Sequence, residues 1–337
     1  MSSVSGGSTA VLAFAGALVA TAALGYPMLA WLRRAGVRQS VSEDAPERHA
    51  AKQGTPTMGG LIMGAGLLVA AGCLAASGRL GADDLVVLGL VATFGAIGFA
   101  DDRLIVRRGR NLGLTARQKL LLQFAAAAGF GLWLMLARGA PEGTQVCGVQ
   151  LGLWYYPACA LLIVGLSNAT NLADGLDGLS AGMSLIAFLA LGVMSPIGGH
   201  GRPVCNAAFL LAGACAGLLW FNANPALIFM GNTGALALGA GLAGAGVLWK
   251  VEAPLQLAAA MFWIETISVM AQVAVFKWRK RRNGIEYARS HRLLRRAPLH
   301  HHFEEVGWPE TRIVARFWLL GGVAATLAVV WVRSGLG

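Results

Sequence analysis

The sequence predicts an all-α polytopic membrane protein: a single integral-membrane domain over residues 1–337, with about ten transmembrane helices. Three observations lead there. Of the 337 residues, 56% are hydrophobic and 13% charged, and the mean hydropathy is +0.61, a balance suited to lipid as solvent. Five apolar runs, 9–32, 57–78, 203–221, 253–276 and 314–332, approach or exceed the roughly 20 residues that cross a hydrocarbon core. Five weaker runs lie near 85–100, 119–138, 152–172, 178–196 and 228–249. Lipid offers the backbone no hydrogen-bond partners, so each run must satisfy itself as a helix; barrel strands would alternate in polarity and be about half as long.

The net charge of +11 raises the question of a nucleic-acid partner, and the placement of the charges answers it. Taken alternately, the gaps between runs hold 21 of the 27 Lys and Arg residues on one side, ten of them between Lys277 and Arg312. By the positive-inside rule those loops are cytoplasmic, at about 33–56, 101–118, 173–177, 222–227 and 277–313, and both termini lie outside. The basic excess is therefore topogenic and no nucleic-acid partner is expected. Cys73, Cys147, Cys159, Cys205 and Cys215 have no metal-ligand spacing and read as core residues. The segment ahead of the first run carries no basic residue and no clear cleavage site is seen, so the run reads as a retained span.

Reactive side chains gather on the basic side. Asp101 and Asp102 sit where the third run ends, suited either to an ion pair with Arg103 or to a metal or general-base role. Asn168, Asn171, Asp174 and Asp177 recur every third residue. On a regular helix each such step drifts about 60°, so only a break, expected at Gly175, aims all four at one ligand. Two carboxylates beside glycines suit a divalent cation and a diphosphate, with a polar turn as the plainer reading. Asn222, Phe229, Gly231 and Asn232 lie where the eighth run begins, a place for phosphate or for tight helix packing. His300, His301 and His302 cannot all face one way, which argues against a three-histidine zinc site and for phosphate contact or proton transfer. Glu265 and Gln272 share a helix face inside the ninth run, as a functional pair or a buried network. Lys52 and Thr57 flank a glycine-rich helix start that lacks the ending of a nucleotide-binding P-loop.

The segments KQGTPTMGG (52–60), FADD (99–102), RNLGLTARQK (110–119), SNATNLADGLDGL (167–179), FNANPALIFMGNTGALALG (221–239) and RAPLHHHFEEVGWPE (296–310) together resemble the phospho-N-acetylmuramoyl-pentapeptide transferases. These belong to the superfamily that transfers N-acetylhexosamine 1-phosphate to polyprenyl phosphates. The resemblance implies transfer of phospho-MurNAc-pentapeptide from its UDP carrier to undecaprenyl phosphate, giving lipid I and UMP with Mg²⁺ in the bacterial cytoplasmic membrane. It implies metal-binding roles for Asp174, Asp177 and position 232, and nucleotide-sugar contacts from Asn168, Asn171, Asn222, Phe229, Gly231 and Gln272. Phosphate contacts fall to Lys52, Thr57 and Lys119, support of the diphosphate to His300, His301 and His302, and deprotonation of the lipid phosphate to Asp101 or Asp102. A homodimer is compatible with this reading.

One position departs from the pattern. The family motif carries an aspartate where this chain has Asn232, and losing a formal charge at a metal site costs roughly 10²-fold or more in comparable cases. The alternatives are an impaired or engineered variant that binds without efficient turnover, a site compensated by Asp174 and Asp177, and a related transferase using UDP-GlcNAc. A transporter would require inverted repeats, and none is seen.

Overall fold

A computed structural model describes residues 2–37, 54–108, 113–138, 144–198 and 203–335. Its helices in chain order are α1 (Ser2–Arg34), α2 (Gly60–Ala76), α3 (Ala82–Arg108), α4 (Ala116–Arg138), α5 (Tyr155–Leu172), α6 (Leu179–Gly198) and α7 (Asn206–Asn222). They continue with α8 (Gly231–Leu248), α9 (Glu252–Ala258), α10 (Ala260–Asn283), α11 (Ile285–Ser290), α12 (Leu299–Val306) and α13 (Glu310–Arg333). A two-residue hairpin, Gln145–Val146 against Val149–Gln150, is the extended structure between α4 and α5.

Each expected apolar run is occupied by helix, and the chain is an all-helical integral membrane protein. Among the described residues eight helices are long and apolar enough to cross a membrane; α2 and α7, at 17 residues each, are apolar but shorter. Three boundaries differ from the sequence reading. The ninth run is split at Ala259 into α9 and α10. Helix α3 runs on to Arg108, so Asp101 and Asp102 lie inside it, two turns before its end, rather than at its exit. Its ends complement the helix dipole, with Asp83 and Asp84 in the first turn and Arg107 and Arg108 in the last. The basic segment 277–313 is mostly helical, formed by the end of α10, then α11, α12 and the start of α13.

Helix α8 is the centre of the bundle, buried from Thr233 to Leu248. Its glycines and alanines explain why. Where lipid removes most of the hydrophobic incentive for helices to associate, small residues let backbones approach and gain dispersion contacts. A Cβ on Gly239 would stand 2.4 Å from the Leu166 carbonyl oxygen of α5, and one on Gly98 of α3 2.2 Å from that of Asn232. Close seating of α3 and α5 on α8 brings the C-terminal ends of α3 and α5 to the N-terminal end of α8. The opposite end is pinned separately. There Asp84 accepts from the Ala207 N–H at 2.9 Å and the Gly81 N–H at 3.1 Å, and Lys250 reaches both Glu252 and Tyr155.

Candidate active site

The polar centre is built around the first residues of α8. A helix N-terminus leaves its first N–H groups without partners. Here carboxylates from two other elements face them. Asp102 of α3 accepts from the Asn232 N–H at 3.1 Å, the Thr233 N–H at 2.9 Å and the Thr233 hydroxyl at 2.6 Å. Asp174 stands near enough to the Gly231 N–H for that donor to favour its charged form. Gly231 has φ +74, and a Cβ there would stand 2.8 Å from Asp102 Oδ2 and 3.0 Å from Thr57 Oγ1, so only glycine fits. The segment before α2 is drawn in by backbone pairing, Phe229 N–H to Pro56 O at 2.9 Å and Gly59 N–H to Phe229 O at 2.8 Å, which sets Thr57 and Phe229 beside the same helix end.

Next to that cap lies a closed ring of four side chains. Lys119 Nζ donates to Asp101 Oδ2 at 3.0 Å and to Asn171 Oδ1 at 3.4 Å. Asn171 Nδ2 donates to Asn232 Oδ1 at 2.6 Å, and Asn232 Nδ2 donates to Asp101 Oδ2 at 2.9 Å. The amide orientations follow from chemistry. A carboxylate only accepts and an ammonium only donates, so Asn232 must turn its NH₂ to Asp101 and Asn171 its carbonyl to Lys119. Asp101 accepts a further bond from the Leu114 N–H at 2.6 Å. Both aspartates of the pair are thus heavily hydrogen-bonded by protein donors.

The four residues spaced by three do not converge as a set. Helix α5 ends at Leu172, and the turn through 173–178 is relieved at Gly178, with φ +76, rather than at Gly175. Asn171 and Asp174 face the centre. Asn168, still in regular helix, points to α4, where its Nδ2 meets Gln123 Oε1 at 2.8 Å. Asp177 turns outward to brace the 223–227 loop, accepting from the Ala226 N–H at 3.1 Å and from Asn224 Nδ2 at 3.0 Å. Asn222 locks the same corner, accepting from the Gly178 N–H at 3.2 Å and donating to Ile228 O at 2.9 Å. Gln272 is committed to the Leu294 backbone at 2.9 and 3.3 Å. Lys52 lies outside the described residues.

The histidines diverge, as three consecutive residues of one helix must. His300 is fully buried, its Nδ1 3.1 Å from Glu265 Oε2. His301 pairs with Glu304, yet burial pulls its pKa below the usual histidine value against that pairing. His302 Nδ1 accepts from the Arg295 N–H at 3.2 Å. The sequence reading missed Thr233, Asn224 and Glu310; Glu310 Oε1 accepts from the Asp177 N–H at 2.7 Å. Only the Trp-Pro-Glu helix start hinted at Glu310, since an acidic residue in the first turn is normally there for its own helix.

Electrostatically the centre is rich in carboxylates. Asp174 keeps some solvent exposure, but protein surrounds it closely enough that desolvation, followed by the charges of Asp102 and Asp177, pushes its pKa up to about 7. Such a crowded acidic set is suited to a divalent cation. Among the described residues no three His, Cys, Asp or Glu side chains stand close enough to hold a metal ion by themselves.

Comparison with known proteins follows the same lines. The model for glycosyl transferase family 4 matches residues 85–250, and signature 1 of the phospho-N-acetylmuramoyl-pentapeptide transferases matches 52–62. A phospho-N-acetylmuramoyl-pentapeptide-transferase of Gemmatimonas aurantiaca is 41% identical, covering 95% of this chain and 92% of its own. Proteins of the same name from Moorella thermoacetica and Shouchella clausii are 43% and 40% identical, each over at least 95% of both chains.

Proposed function

Since the chain belongs to the phospho-N-acetylmuramoyl-pentapeptide-transferase family, we propose that it transfers phospho-MurNAc-pentapeptide from UDP-MurNAc-pentapeptide to undecaprenyl phosphate, forming lipid I and UMP. The observation that carries the reading is the acidic cap on α8. A helix N-terminus would ordinarily attract phosphate. Here the Asn232 and Thr233 N–H groups are already given to Asp102, with the Asp174 carboxylate beside them, so an anionic diphosphate needs a cation between itself and the protein. Asp174 is the residue to hold Mg²⁺, with Asn232 as a neutral oxygen donor at the expected position and Asp177 shaping the loop behind it. Bound there, the ion would neutralise the diphosphate and the charge that builds up on departing UMP.

The chain's own groups do the positioning. Lys119 presents a cation at the edge of the ring, anchored by Asp101 and Asn171. Thr57 and Phe229 flank the start of α8, where the nucleotide-sugar would lie. Asp101 and Asp102 already accept several hydrogen bonds from protein donors, which makes them anchors of the ring and of the start of α8. His300, whose buried Nε2 has no partner among the described residues, is better placed for proton traffic. Charge asymmetry, with 21 of 27 basic residues in the loops that the sequence assigns to one side, supports a site facing the cytoplasm of a bacterial inner membrane, where a soluble nucleotide-sugar and a lipid phosphate can meet.

The test is UMP release by the full chain in lipid vesicles. Release is expected only with UDP-MurNAc-pentapeptide, undecaprenyl phosphate and Mg²⁺ together. No release by this chain or by its Asn232→Asp variant would overturn the reading.

A further inference from the structure

Glu265 is a carboxylate within a candidate membrane span, α10, and it is fully buried. Such a residue is costly unless both its oxygens are satisfied. They are satisfied by a single partner. Oε1 accepts the His300 backbone N–H at 3.2 Å, and Oε2 lies 3.1 Å from His300 Nδ1. The backbone bond fixes the start of α12, and the side-chain bond fixes the ring.

The ring's other nitrogen is where the consequence lies. His300 Nε2 is buried and has no hydrogen-bond partner among the described residues. It faces Gly175: a Cβ on that residue would stand 2.3 Å from Nε2, so the imidazole reaches the Asp174 loop only because Gly175 has no side chain. An orphaned buried nitrogen is unfavourable in the resting protein, and one placed against the loop that carries Asp174 is positioned for a group that arrives with substrate.

We propose that Glu265 is a positioning residue for His300: it keeps the proton on Nδ1 in every state of the ring, and reserves Nε2 as the nitrogen that takes a proton from the incoming phosphate monoester. This rests on the function proposed above. In the step, the phosphate O–H bond breaks and an N–H bond forms at Nε2. The electron pair stays on the phosphate oxygen, which becomes the nucleophile, and the resulting imidazolium faces the Glu265 carboxylate. Carboxylate chemistry makes the assignment one-way, because both Glu265 oxygens only accept.

Glu265→Gln reverses the tautomer with little change in volume. The backbone N–H of His300 can only donate, so it claims the new carbonyl; the NH₂ then faces Nδ1, which must accept, and the proton moves to Nε2. In ¹⁵N-histidine-labelled full chain in detergent, neutral His300, identified by loss of its signals in His300→Asn, is expected to show a protonated Nδ1 and a bare Nε2. In Glu265→Gln the two are expected to exchange. The kcat for UMP release should fall by roughly 10²–10⁴-fold in that variant, with KM for the nucleotide-sugar within about 3-fold. Glu265→Asp, which retains two accepting oxygens, should keep at least about tenfold more kcat than Glu265→Gln. The proposal is overturned if wild-type neutral His300 carries its proton on Nε2, if Glu265→Gln turns over within about 3-fold of wild type, or if Glu265→Asp is no better than Glu265→Gln. Absence of turnover in both the wild type and Asn232→Asp would instead sink the proposed function, and the nitrogen spectrum would still decide the tautomer.

Discussion

Asn232 donates its side-chain amide to the Asp101 carboxylate at 2.9 Å, across the seam between α8 and α3. An aspartate at this position could not make that bond, and its charge would oppose Asp101 directly. The residue that departs from the family pattern is therefore the one that makes the ring of Lys119, Asp101, Asn171 and Asn232 self-consistent without a metal.

Asn232→Asp follows from this. Without Mg²⁺ the variant should be less stable by about 1–3 kcal/mol, since a half-buried donor is replaced by a like charge. Added Mg²⁺ should restore stability, and the variant should need less of it for half-maximal UMP release than the parent chain. Thermal unfolding and turnover, each against a Mg²⁺ titration, check both halves.

Asp174 links metal binding to pH. Its folded pKa of about 7 lies above the ordinary 3.8, so the metal-free protein binds a proton that the unfolded chain releases. In that state its contribution to stability is fully present below pH about 4 and is lost as pH rises through about 7. A divalent cation competes with that proton. Affinity for Mn²⁺ as a probe should therefore rise from pH 6 to 8, and Asp174→Asn should both weaken binding and flatten the dependence.

Lys119 compensates Asp101 and orients Asn171 simultaneously. Lys119→Met keeps most of the apolar stem, removes the charge, and should reduce UMP release by roughly 10²-fold or more. Lys119→Arg should recover part of the rate, because the charge returns but the single-point geometry does not. Steady-state kinetics at saturating Mg²⁺ separates the two.

Asn168 should behave as a structural residue. Asn168→Ala removes the bond to Gln123, whose amide is largely buried, and should cost about 1–3 kcal/mol of stability. KM for the nucleotide-sugar should change by less than about 3-fold, in contrast to Asn171→Ala, which opens the ring and should raise it. Unfolding and kinetics measured on both variants test the distinction.

How far the site was legible depended on chain separation. Asp101, Asp102, Asn171, Asp174, Gly231 and Asn232 stand out in the sequence because polar residues at the ends of apolar runs have to be explained. Their division of labour does not. Asn168 and Asn171 share a residue type and a helix, and only the seating of α4 against α5 sends one to Gln123 and the other to Lys119. Gln272 and Asn222 look like ligand amides until their partners prove to be the backbone of Leu294 and of Gly178 and Ile228. Glu310 escaped notice because its partner, Asp177, lies 133 residues away.

By itself the sequence determined the solvent, the helical class, the places of the ten apolar runs and the end at which chemistry gathers. Each of these is set by local composition, and hydropathy and charge act on a segment wherever its neighbours lie. The tertiary structure alone decided that α3 carries Asp101 and Asp102 past the end of its apolar run, that carboxylates rather than phosphate occupy the N-terminus of α8, and that Glu265 faces His300. Those outcomes depend on which helices approach closely, and that is governed by backbone contact at glycines such as Gly98 and Gly239, which bear no chemistry of their own.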